Sequence, residues 1–111
     1  MYGLNVFGYW KELPEESRDG LITDEYADFL RYKNTIDKNA VIEHIESLGA
    51  AICSIYTHDI YTGEEFNSGF YVDGDFHFPV DFLRYYKTRD IGIPYEYEEY
   101  LRGILKQAEI K

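Results

Sequence analysis

The 111-residue sequence predicts an α+β fold, a single domain spanning 1–111 in which a three-stranded antiparallel sheet packs against about four helices. Three observations lead there. Apolar residues recur at helical spacing before residue 49 and again after residue 79. Between them, residues 51–78 are rich in β-branched and aromatic residues in short runs. Asp73-Gly74 then joins two such runs, and a tight hairpin turn needs the positive φ that glycine supplies.

In chain order, the first helix is expected over 24–33, where Ile22, Tyr26, Phe29 and Leu30 form an apolar stripe. Asp24, Glu25 and Asp28 load its first turn with acid, and Arg31 and Lys33 place base at its end, as the helix dipole favours. A second helix runs from Lys38 to Leu48. Asp37 is placed to cap it, Ile36 and Val41 to staple it, and Gly49 to end it in a left-handed conformation. Val41, Ile45 and Leu48 point inward, with Ile42 at the margin. Strands follow at 51–57, 67–72 and 75–78. Pro79 opens a helix to Lys87 that buries Phe82, Leu83 and Tyr86, and Arg89-Asp90-Ile91-Gly92 breaks it.

The last helix begins at Pro94, where a missing N–H is harmless. Its opening stretch, IPYEYEEYL, holds three tyrosines and three glutamates in nine residues. Helical spacing puts Ile93, Tyr97, Tyr100, Leu101, Ile104 and Ala108 on one face, so two of those tyrosines belong to the core. Tyr95 points away near Glu99 and Arg102, and Glu98 and Arg102 form a surface pair. One core is expected to join Ile45, Leu48, Ile52, Phe82, Tyr97, Leu101 and Ile104.

Composition narrows the function. The first residues, MYGLNVFGYWKEL, do not read as a signal peptide, and no stretch reaches the roughly 20 apolar residues of a membrane span. A cytoplasmic location is the expectation. The single cysteine, Cys53, excludes an internal disulfide and a multi-cysteine zinc site. Net charge is −10, from 21 acids and 11 bases, which disfavours direct binding to nucleic acid or to anionic membranes and permits a basic protein partner. The charge is also uneven. Between residues 39 and 83 stand Glu43, Glu46, Asp59, Glu64, Glu65, Asp73, Asp75 and Asp81, with no lysine or arginine.

No chemistry announces itself. Asp73, Asp75 and His77 alternate and could recruit His58 or Asp59 to a metal, but the turn accounts for Asp73-Gly74, and no metal or other cofactor is expected. Cys53 sits in the apolar run AICSI, where cysteine is usually a small hydrophobe, and His44, His58 and His77 are not brought to it by any pattern. Phosphate loops and nucleophile motifs are absent, so the reading is a binding protein and not an enzyme. The expected partner surface is Asp59, Tyr61, Glu64, Glu65, Tyr71, Asp73 and Asp75, with carboxylates to meet cations and tyrosines to bury area.

The chain as a whole resembles small cytoplasmic immunity proteins of bacterial contact-dependent inhibition and related polymorphic toxin systems. The resemblance lies in a short, acidic, tyrosine-rich α+β domain with an unbroken anionic stretch around EHIESL, THDIYTGEEF and YVDGDFHF. It implies binding to a cognate toxin domain, often a basic nuclease, with occlusion of its active site or an adjacent surface. No family residue is carried over. Two other readings are a nucleic-acid mimic that inhibits a DNA-processing defence enzyme, and a small enzyme with an unidentified site.

Overall fold

The computed structural model describes the backbone of residues 5–109 and side chains as far as Leu105. Among these residues are four strands, β1 (Asn5–Val6), β2 (Ala51–His58), β3 (Glu65–Asp73) and β4 (Phe76–Pro79). Five helices accompany them: α1 (Glu15–Arg18), α2 (Tyr26–Leu30), α3 (Lys38–Leu48), α4 (Val80–Thr88) and α5 (Tyr95–Glu109). The α+β class holds, and β2, β3 and β4 form the antiparallel meander read from the sequence. The sheet is nevertheless mixed and four-stranded, in the order β1-β4-β3-β2. Val6 pairs with His77 in a parallel ladder, and a two-residue strand that bonds so far along the chain leaves no local periodicity to read.

The hairpin forms, but its turn residues are Gly74 and Asp75 and not the expected Asp73 and Gly74, which leaves Asp73 as the last residue of β3. Asp73 pairs with Phe76 across a two-residue turn, and Gly74 takes φ +61° at its first position. A Cβ there would lie 2.5 Å from the Tyr100 hydroxyl, so the turn needs glycine for space as well as conformation. Alternation then puts Tyr71 and Phe78 on one face of the sheet, where their rings lie 5.6 Å apart.

That face holds an aromatic core. Phe7 stacks on Phe78 at 4.8 Å, Phe78 meets Tyr97 at 5.4 Å and Phe82 at 5.6 Å, and Val41, Ile45, Ile93 and Leu101 close around them. Trp10 is fully buried against Tyr26, Phe29, Phe82 and Tyr85. The expected core residues Ile45, Phe82, Tyr97 and Leu101 are buried, while Leu48 and Ile104 are only half-buried. Ala108 lies beyond the described side chains. Ile52 is 62% exposed, because β2 is the edge of the sheet and no layer covers it.

Three local expectations change. The first helix is one turn long, Tyr26–Leu30, instead of 24–33. Asp24 is drawn away by a bridge to Trp10 and by the Gly8 amide, which donates to its carboxylate at 3.2 Å, and Glu25 and Asp28 form the capping box instead. Ile22 and Leu30 consequently stay exposed. α3 has the expected ends, but Asp37 makes no side-chain cap bond, and Gly49 has φ +75° with ψ 117°, outside the left-handed helical region. Glu98 is not a surface group. It is buried, and it accepts from the Thr35 and Ile36 amides and the Asn34 side chain as well as from Arg102. Burial raises its pKa, but these bonds outweigh burial and hold it below its ordinary value.

The half-buried Asp24 yields a pH prediction. Burial raises its pKa to about 6, against partial relief from Gly8 and Thr23. The folded state therefore holds a proton that the unfolded state releases near pH 4, and the contribution of Asp24 to stability falls as pH rises from about 4 to about 6. Asp59 and Glu98 oppose it near pH 4, because their lowered pKa values act the other way. Asp81 is raised in the same direction by burial and adds to the slope. Asp24→Asn keeps an acceptor for Gly8 and removes the charge. Its melting temperature is expected to exceed that of the unaltered chain at pH 7, by the equivalent of about 1–2 kcal/mol after discounting for solvent screening. The pH 4–6 slope should flatten, and an unchanged slope would refute the assignment.

Candidate functional site: a fixed loop beside the sheet edge

The loop between β2 and β3 is built around one carboxylate. Asp59 Oδ1 accepts from the Tyr61 and Thr62 amides at 2.7 and 3.0 Å, while its own amide donates to Glu64 O at 2.9 Å. Its Oδ2 accepts from Arg84 Nε at 2.7 Å. Burial raises the Asp59 pKa, yet the bonds from Arg84 and the two amides prevail and hold it below the usual carboxylate range. Asp59 is thus buried and structural, and it fixes the loop that presents its neighbours.

Tyr61 stands on that loop at 47% exposure. One face of its ring meets the Arg89 guanidinium at 3.7 Å, and Tyr26 and Tyr85 pack against its edges. Glu64 accepts from Arg84 and is largely exposed, so that pair adds little to stability. Arg84 also covers the Phe66 ring at 4.5 Å. Behind the loop lies a groove of about 620 Å³ between β2, β3 and α4, floored by Ile52, Phe66, Tyr71 and Leu83 and bordered by the Glu46–Lys87 pair.

The seven residues expected at a partner surface therefore divide. Tyr61, Glu64 and Glu65 are exposed around the loop, and half-buried Tyr71 lines the groove. Asp75 is exposed in the hairpin turn at the far end of β3. Asp73 turns inward. Its Oδ2 accepts from the Tyr97 hydroxyl at 2.7 Å and lies 2.9 Å from His44 Nε2, and its Oδ1 accepts from the Tyr100 hydroxyl at 3.0 Å. Burial, and then the bond to Asp73, pushes both tyrosines above the usual phenol value.

The acid-rich segment also finds bases that its own sequence lacks. Arg84 and Lys87, one turn apart on α4, bind Asp59, Glu64 and Glu46. Asp73 and Asp81 are buried, which leaves Glu43, Glu65 and Asp75 as exposed carboxylates of that segment without an ion pair among the described residues. The base-free segment read from the sequence ends at residue 83, just before both. Their place on the helix that directly follows the hairpin was the available signal.

No alternative chemistry assembles around the motifs noted earlier. Asp73 is engaged as above, His77 Nε2 lies 3.0 Å from the Tyr9 hydroxyl, and no group of three or more His, Cys, Asp or Glu able to hold a metal occurs among the described residues. Cys53 is half-buried on β2, and His58 ends the same strand opposite Glu65. None of the described helices is long and apolar enough to cross a membrane. No family model, curated protein or solved structure matches the chain.

Proposed function

We propose that this protein neutralises a cognate toxin domain by binding it in the cytoplasm, as its resemblance to acidic immunity proteins implies. The observation that supports the reading is Tyr61, an exposed ring beside Glu64 and Glu65 on a loop already fixed by Asp59. A partner that meets a preordered loop avoids much of the entropy of ordering it, and an aromatic anchor beside carboxylates suits a surface rich in arginine and lysine. Tyr71 and the groove extend the contact, while Asp59 and Asp73 act by positioning. Asp75 would belong to the same contact only if the partner spans β3.

A nucleic-acid mimic is the second reading. It needs carboxylates in an extended row, and Arg84 and Lys87 interrupt the row here. For the small-enzyme reading, no group of three or more metal-ligating side chains occurs among the described residues.

The test uses the candidate toxin domain expected from the gene immediately upstream of this chain's own, and the lack of any such gene would itself count against the reading. Tyr61→Ala is expected to weaken binding about 30-fold, the scale of a 2 kcal/mol anchor. Reversal of Glu64 and Glu65 to lysine should slow association and reduce its salt dependence. Thermal melts of the variants should stay close to that of the unaltered chain. Full affinity in all of them would move the interface elsewhere.

A further inference from the structure

β2 leaves three large apolar side chains in solvent, Ile52 at 62%, Ile55 at 56% and Tyr56 at 62% exposure. It ends the sheet, so its outer edge has no hydrogen-bonded neighbour among the described residues, and its sequence, AICSIYTH, holds no Lys, Glu or Pro to discourage pairing. One device does discourage it. Between the pairs Ile52–Gly69 and Tyr56–Asn67, the three residues Cys53, Ser54 and Ile55 face Ser68 alone. Such a bulge bends the strand and interrupts the ladder, so a straight fifth strand cannot run along it. Gly69 lets the two strands close beside it, since a Cβ there would lie 2.4 Å from Ala51 O. The bulge thus discourages backbone pairing at the edge, while the side chains of Ile52, Ile55 and Tyr56 stay exposed.

Charge indicates what covers them. Glu65 lies across from His58 at one end of the strand. At the bulge, Ser68 Oγ donates to Glu16 O, and Ser17 Oγ lies 2.6 Å from Thr57 Oγ1, which sets α1 and its exposed Glu15 and Glu16 against β2 and β3. Glu46 and Glu64 share the groove with Ile52 but are already paired with Lys87 and Arg84, so the acids beside β2 without an ion pair among the described residues are Glu15, Glu16 and Glu65. Of the bases nearby, Arg84 is paired with Asp59 and Glu64, Lys87 with Glu46, and Arg89 lies over the Tyr61 ring, while Arg18 Nε donates to Leu13 O. A second copy would bring the same acidic rim against itself, with a net charge of −10 on each chain.

We propose that the exposed apolar residues at the outer edge of β2 are a docking surface for a basic protein partner, whose apolar side chains flanked by lysine or arginine pack on Ile55 and Tyr56. The proposal deepens the toxin-neutralising reading and rests on it for the partner's identity, but it can fail separately. The probe is a blocked 14-residue amphipathic peptide of leucine and lysine, with leucine–glutamate and alanine–lysine peptides as controls, titrated against the intact chain and followed by amide NMR. The leucine–lysine peptide should give saturable shifts centred on Ile52–Tyr56 that weaken about tenfold between low and physiological salt. Both controls should bind at least tenfold less. Ile55→Ser with Tyr56→Ser should lose the shifts at least tenfold while the melt is retained. Equal binding by the leucine–glutamate peptide, shifts centred away from β2, or self-association of the unaltered chain through β2 would each overturn the proposal. Any of these would leave the Tyr61 loop test, made with the toxin domain itself, to stand or fall independently.

Discussion

Replacing Asp73 by alanine is expected to cost about 3–5 kcal/mol, the range for breaking a buried charged network by removing one member. The residue is 4% exposed and receives the Tyr97 and Tyr100 hydroxyls and, when Nε2 carries the hydrogen, His44. Alanine leaves the Tyr97 hydroxyl inside the core without its acceptor, and an unsatisfied buried donor costs more than the bond contributed. It also unties α3, α5 and the hairpin at once. A domain of this size has about 5–15 kcal/mol in total, so chemical denaturation should show a large fall in midpoint. Tyr97→Phe alone should cost about 1–2 kcal/mol. In the double variant the two losses should not add, with a coupling of about 1 kcal/mol or more. Additive losses would mean that the bond is not the source of the effect.

Trp10→Ala should cost a similar 3–5 kcal/mol by a different route. Trp10 is completely buried, and its ring lies 5.0 Å from Tyr26, 5.2 Å from Phe29 and 5.8 Å from Tyr85. Truncation removes the largest fully buried side chain and leaves a cavity among rigid rings that relax only partly. Its Nε1 has no hydrogen-bond partner among the described residues, so Trp10→Phe loses area but also relieves an unpaired donor. The phenylalanine variant is therefore expected to recover more than half of the loss in a thermal melt. If it is as unstable as the alanine variant, packing shape and not the indole nitrogen dominates.

These two residues mark where sequence reading works and where it stops. Asp73-Gly74 announced the hairpin because a turn is local, and its conformation depends on the residues in it. The second task of Asp73 was hidden, because its partners lie 24 to 29 residues away and nothing in a periodic pattern names them. Glu98 misled for the same reason. Its i,i+4 spacing to Arg102 was correct, but the Thr35 and Ile36 amides that bury it come from another element. The ends of α3 were legible because Asp37 and Gly49 flank a helical stripe in sequence, although neither residue makes the cap that was read from it. Ile52 failed because strand alternation says which side chains share a face, and only the strand order says whether that face is covered. The groove was illegible in part because its cations follow the acidic segment on α4.

The central claim is that this chain acts by occupying a toxin domain. It is tested most directly by titrating the candidate toxin domain expected from the neighbouring upstream gene with the purified chain and following toxin activity and complex mass together. The expected result is loss of activity that is complete at one equivalent, with a one-to-one complex whose formation slows as salt is added. Full toxin activity at a several-fold excess of this chain would contradict it.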